Sequence, residues 1–123
     1  MDASALAAIL FGEPDAVAIA ERLAGHRLVA PTLLRYELAS VCLKKASRYP
    51  ERARALREML RLFPEMDVEE VQAEASETVD LAERTGLTTY DAAYLWVARC
   101  LGAPLFSLDD RLAKAAEAFG LRR

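Results

Sequence analysis

Short β-like runs separated by helical periodicity restrict what this chain can become. Residues 27–31, Arg-Leu-Val-Ala-Pro, and residues 105–108, Leu-Phe-Ser-Leu, read as strands, and residues 66–68 read as a third, very short one. Between and around them, apolar residues recur at helical spacing. Leu6, Ile9 and Leu10 mark a first helix that runs up to Gly12. A second begins at Pro14, carries Ala16, Ile19, Ala20 and Leu23 on one face, and ends at Gly25. Thr32 is expected to cap a long helix reaching Arg48, which Pro50 breaks. Leu56, Met59, Leu60 and Phe63 mark the next helix, stopped by Pro64. Val71, Ala75, Val79 and Ala82 mark another, ending near Gly86. Two more follow, from about Thr89 to Gly102 and through Leu112, Ala116 and Phe119. Strands alternating with helices predict an α/β arrangement with a parallel sheet covered by helices.

The stretch Thr85-Gly86-Leu87-Thr88-Thr89-Tyr90-Asp91-Ala92-Ala93-Tyr94 organises the second half. Gly86 suits the position just past a helix end. Thr88 or Thr89 can cap the next helix, with Leu87 packing back as a hydrophobic staple. Asp91 falls in the first turn, where a negative charge suits the helix dipole. It also lies four residues before Leu95, on the side of the apolar stripe through Ala98 and Leu101. A carboxylate aimed toward the core needs a partner, and a cation is one.

In an open α/β sheet, ligands bind outside the carboxyl ends of the strands. Four acids are expected on that edge. Asp109 follows the run 105–108, and Glu37 lies in the second turn of the helix after residues 28–30, with Leu33, Leu34 and Val41 around it. Asp91 opens the helix leading into the last strand, and Asp2 joins them if Met1 is the tail of a strand and Ser4 starts a helix. Each acid alone suits a structural role equally well: Asp2 as a terminal residue, Glu37 extending to solvent, Asp109 or Asp110 capping the last helix. Their joint placement favours a divalent cation, which neutralises carboxylates that otherwise repel. Phosphodiester hydrolysis is the chemistry that follows.

Composition excludes other classes. Histidine occurs once, at His26, with no Cys/His cluster, which argues against a zinc site or a Ser-His-Asp triad. Cys42 and Cys100 both fall in apolar helical patterns and are expected to be reduced core residues of a cytosolic protein. No apolar run approaches the roughly 20 residues that span a bilayer, and Asp2 stands where a signal peptide carries basic residues. Charge is uneven: Lys44, Lys45, Arg48, Arg52, Arg54, Arg57 and Arg61 face only Glu51 and Glu58, and an acidic stretch follows from Glu65 to Asp91. That is either two solvated helix faces or a basic arm for phosphates beside an acidic metal site. A net charge of −3 argues against binding nucleic acid by charge alone.

These residues carry a family resemblance. Asp2-Ala3-Ser4-Ala5-Leu6, Pro31-Thr32-Leu33-Leu34-Arg35-Tyr36-Glu37-Leu38-Ala39, Gly86-Leu87-Thr88-Thr89-Tyr90-Asp91-Ala92-Ala93-Tyr94 and Pro104-Leu105-Phe106-Ser107-Leu108-Asp109 match, in order and spacing, the segments of PIN domains. The chain most closely resembles the VapC toxins of VapBC toxin–antitoxin pairs. The resemblance implies a single PIN-like domain over residues 1–123, a three-layer α/β/α fold with a short, mostly parallel central sheet and helices on both faces. It implies an Mg²⁺- or Mn²⁺-dependent endoribonuclease whose catalytic and metal-binding acids are Asp2, Glu37, Asp91 and Asp109. Ser4 and Ser107 match supporting hydroxyls, and Asp110 is a substitute for Asp109. Lys44, Lys45 and Arg48 are the expected RNA contacts. A homodimer in the cytoplasm, off the membrane, with a VapB-like antitoxin whose C-terminal segment crosses the active-site groove, completes the expectation.

The sequence departs from the resemblance at its ends. Family members usually carry a hydrophobic strand before the Asp-Ala-Ser segment, and here Met1 stands alone, so the expectation is either a natural start several residues upstream or a real truncation that leaves Asp2 poorly held. Leu121-Arg122-Arg123 leaves little room for a last edge strand. A non-catalytic PIN-like binding module, with a structural or vacant acidic site, is the alternative. For a receiver-like phosphoacceptor, the acidic pair before the first helix and the late Lys it needs are not evident.

Overall fold

The computed structural model describes residues 3–105, 107 and 109–119. The chain runs through α1 (Ala3–Leu10), α2 (Ala16–Leu23), β1 (Val29–Pro31), α3 (Leu34–Arg48) and α4 (Ala53–Leu60), with a 3₁₀ turn at Pro50–Arg52. A second 3₁₀ turn at Phe63–Met66 leads to β2 (Glu69–Val71), then α5 (Ala75–Thr85), α6 (Thr89–Leu101) and α7 (Asp110–Ala118). The protein is mostly helical around a short parallel sheet.

β1 and β2 pair in parallel, Val29 opposite Glu69, Ala30 opposite Glu70 and Pro31 opposite Val71. The ladder continues past both strand ends. Glu69 N–H donates to the Leu28 carbonyl at 2.9 Å, and Thr32 N–H donates to the Val71 carbonyl at 3.1 Å. Parallel strands need a crossover of a dozen or more residues, and α3 and α4 supply it. Ion pairs from Arg27 to Glu69 and from Arg35 to Glu70 flank the sheet and match its register. The hydrogen bond and charge of Glu70 push the Arg35 guanidinium above its usual pKa. Both pairs are largely exposed, so they favour the register more than they stabilise the fold.

Several elements differ from the sequence expectation. Thr32 does not cap α3: its N–H is committed to the sheet ladder, and Leu33 stands at the cap position without a side-chain bond. The helix expected through Phe63 ends at Leu60, because Pro64 opens a separate 3₁₀ turn. Asp67 leaves that turn in the left-handed region, φ 56°, and this redirection delays β2 to Glu69. α2 starts at Ala16 and not at Pro14. In the run 105–108, Leu105 and Ser107 are not in a strand, and Phe106 and Leu108 lie outside the described residues. Cys42 is buried as expected, whereas Cys100 is exposed near the end of α6.

The core forms around α6. Ala92, Ala93, Tyr94, Leu95, Val97 and Ala98 are buried in succession, which happens when neighbours cover a helix on more than one side. α5, α7 and β1 all pack on it. The alanines let these neighbours approach closely, while Leu6, Leu34, Leu38, Leu56, Leu105 and Leu112 fill the surrounding space with at most 1% exposure. Each such leucine contributes about 1.5–3 kcal/mol of burial. α5 and α6 are also joined by a polar bond: the Trp96 indole N–H donates to Glu77 Oε2 at 2.6 Å.

Candidate active site

The turn from α5 to α6 is built by three residues. Gly86 adopts φ 75° and donates its N–H to the Ala82 carbonyl at 2.9 Å, closing α5. Leu87 is buried, with 8% exposure, and anchors the turn in the core. Of the two candidate threonines, Thr88 is the cap, its Oγ1 accepting the Asp91 N–H at 3.1 Å. The cap binds the Asp91 backbone, and the Asp91 side chain is half-buried in the first turn of α6.

Glu37 comes to this place from α3. It lies in the first turn of that helix, one turn earlier than its spacing implied, and is half-buried. The Tyr94 hydroxyl donates to Glu37 Oε1 at 2.5 Å. Tyr94 stands three residues after Asp91, and residues at that spacing are neighbours on a helix surface. Tyr94 thus links Glu37 of α3 to the helix that carries Asp91. Sequence reasoning gave Tyr94 no role. The available signal was a hydroxyl in the most buried stretch of the chain, since a buried tyrosine needs a polar partner.

Asp109 stands at the start of α7, which packs on α6. Its Oδ1 accepts the backbone N–H groups of Arg111 at 2.9 Å and Leu112 at 3.4 Å, so it is the cap of α7. Ser107 Oγ accepts the Asp109 N–H at 2.9 Å, fixing the cap's approach. Arg111 Nη2 donates to the Gly86 carbonyl at 2.9 Å. That bond ties the first turn of α7 to the turn that presents Asp91.

The other expected residues are placed as follows. Ser4 is half-buried in the first turn of α1, and α1 packs on α3. Asp110 is the first residue of α7, and its side chain lies outside the described part of the structure. Asp2 lies outside the described residues. Lys44 is exposed on α3, Arg48 is exposed with its guanidinium 5.5 Å from the Tyr49 ring centre, and Lys45 is paired with Glu13.

The sequence model of the PIN domain matches residues 1–118. The chain belongs to the PIN domain family. It is 32% identical to Ribonuclease VapC3 of Pyrobaculum aerophilum over 120 residues, which span 93% of this chain and 91% of that protein. This likeness places it with the VapC-type members, and the short parallel sheet among helices is consistent with the PIN-like α/β/α fold.

The candidate donors expected of a PIN domain that the structure describes, the carboxylates of Glu37, Asp91 and Asp109, are hard oxygens. Such donors suit Mg²⁺ or Mn²⁺ and not a soft metal. The bonds already made do not exhaust them, because a carboxylate offers about four lone-pair positions. Among the described residues, however, no three acidic, histidine or cysteine side chains come close enough to hold an ion. The donor chemistry fits a hard cation, and the described acids do not enclose one by themselves.

Proposed function

We propose that the protein is a metal-dependent endoribonuclease, a single PIN domain over residues 1–123 that hydrolyses RNA phosphodiester bonds as the toxin of a toxin–antitoxin pair. The observation that supports this reading most is the Tyr94 bond to Glu37, which ties a carboxylate on α3 to the helix that carries Asp91. The ribonuclease named among its relatives supports the substrate class.

Glu37, Asp91 and Asp109, with Asp2, would hold Mg²⁺ or Mn²⁺. A bound cation would supply an activated water and would stabilise charge on the attacked phosphate, the net change being addition of water across the phosphorus–oxygen bond to the leaving ribose oxygen. The protein's own groups position this event. Tyr94 orients Glu37, the Thr88 cap fixes the start of α6 below Asp91, and Ser107 sets the Asp109 cap. Ser4 and Asp110 support the cluster. Lys44 and Arg48 contact RNA phosphates, while Lys45 reaches them only by leaving Glu13. A VapB-like antitoxin, a homodimer and a cytoplasmic location complete the proposal. No described helix is long and apolar enough to cross a membrane.

Purified protein is expected to cut RNA with Mg²⁺ or Mn²⁺ and to stop in EDTA. Equal cutting in EDTA overturns the reading. The grouping of fewer than three close acids among the described residues favours a second reading, a non-catalytic protein- or RNA-binding module with a structural or vacant site. Calorimetry with Mn²⁺ separates the two: saturable binding supports the enzyme, and a folded protein that binds none supports the module.

A further inference from the structure

Arg111 occupies a position that local helix chemistry disfavours. It lies in the first turn of α7, where the helix dipole favours an acid and opposes a cation. Its Nη2 is anchored at 2.9 Å on the Gly86 carbonyl, at the closing end of α5, where the dipole has the opposite sign. The same residue's backbone N–H is held by Asp109 Oδ1 at 2.9 Å. Its guanidinium is therefore anchored at the turn that presents Asp91, while its backbone belongs to the Asp109 cap. It is exposed and, among the described residues, forms no ion pair with a carboxylate, whereas Arg27, Arg35 and Lys45 each do. A guanidinium has five N–H donors in a planar fork that matches phosphate geometry, and the Gly86 carbonyl takes one of them.

We propose that Arg111 is a phosphate-binding residue of the active site, receiving a backbone phosphate of RNA laid across Glu37, Asp91 and Asp109. The proposal rests on the ribonuclease reading and adds to it a cation at the turn that presents Asp91. Such a charge offsets repulsion between the carboxylates and the incoming phosphate. The bond to the Gly86 carbonyl acts as a tether: it limits the rotamers of a long side chain, so less freedom is lost when phosphate binds. A structural tie alone predicts the same bond but no dependence of RNA affinity on the Arg111 charge.

The test uses a fluorescein-labelled 2′-O-methyl oligoribonucleotide of mixed sequence, with Ca²⁺ in place of Mg²⁺ to hold back cleavage. Binding is followed by anisotropy across a salt series. Arg111→Gln is expected to bind about tenfold more weakly, and its slope of log affinity against log salt is expected to fall by about 0.7, one single-strand phosphate contact. Arg111→Lys, which keeps the charge, is expected to restore most of the slope. An Arg111→Gln protein with unchanged affinity, or with weaker affinity at an unchanged slope, overturns the proposal, since a structural tie gives that result. Should Arg111→Gln fail to fold, the wild-type side-chain Nε resonance of Arg111, assigned with Arg111→Lys, must shift on titration with the oligonucleotide, and its constancy overturns the proposal. The two readings fail differently. Wild-type protein that neither binds nor cuts RNA removes both, whereas wild-type binding indifferent to Arg111 removes only this one.

Discussion

The hydroxyl of Tyr94, a side chain with 2% exposure, donates to Glu37 Oε1, a carboxylate half open to solvent. One bond thereby joins the packed centre of α6 to a candidate metal ligand on α3. The ring holds its place through the core, and the hydroxyl passes that placement to the carboxylate. Partners that orient ligands in this way matter in metal sites nearly as much as the ligands themselves.

Tyr94→Phe keeps the ring and deletes the bond. RNA cleavage at saturating Mg²⁺ is expected to fall about 10- to 100-fold, with the apparent Mg²⁺ requirement raised. Stability is expected to drop by only about 1 kcal/mol, because water reaches the half-exposed Glu37. Metal titration of activity alongside a thermal melt checks both.

Asp91→Asn separates the carboxylate's chemistry from its helix. Thr88 caps the backbone N–H of residue 91, which the substitution leaves intact. Removing the charge from the first turn costs about 0.3–1 kcal/mol, so the melting temperature should move little. Cleavage is expected to fall about 100-fold or more. A variant with near wild-type turnover would remove Asp91 from the site.

Thr88→Ala gives the converse result. It removes the cap and is expected to cost about 1 kcal/mol, with a smaller loss of cleavage than Asp91→Asn. Thr88→Ser, which keeps the hydroxyl, is expected to recover most of the difference in a denaturant titration.

At Gly86 the cost is purely one of backbone conformation. The residue adopts φ 75°, and a Cβ added there meets nothing within 4 Å. Gly86→Ala is therefore expected to cost about 1 kcal/mol and to lower the melting temperature by roughly 5 °C. Gly86→Asn, which tolerates the left-handed region, is expected to cost less.

What the sequence made legible depended on residues within one turn of each other. The Gly86 stop, the Leu87 anchor and the choice between Thr88 and Thr89 are set by such neighbours, and one of the two threonines does cap α6. The capping of α7 by Asp109 or Asp110 was legible for the same reason, and Asp109 takes it. Thr32 misled because the same residue suits both a strand end and a helix cap, and only the partner strand decides. β2 was displaced by the left-handed Asp67, a conformation no pattern of apolar residues announces. The pairings that make the site were out of reach. Glu37 and Tyr94 are 57 residues apart, and Arg111 reaches Gly86 across 25. Periodicity states which face of a helix is buried and leaves open which side chain it meets there.

The indole of Trp96, the chain's one tryptophan, binds Glu77 across the α5–α6 seam. The protein therefore carries an optical gauge on the helix pair that positions Asp91. Indole emission responds to the hydrogen bond on its nitrogen and to water at its edge. An opening of the seam would change the colour and intensity of that emission before the rest of the fold gives way. With no label attached, fluorescence can follow the site's scaffold as metal, RNA or a protein partner is added.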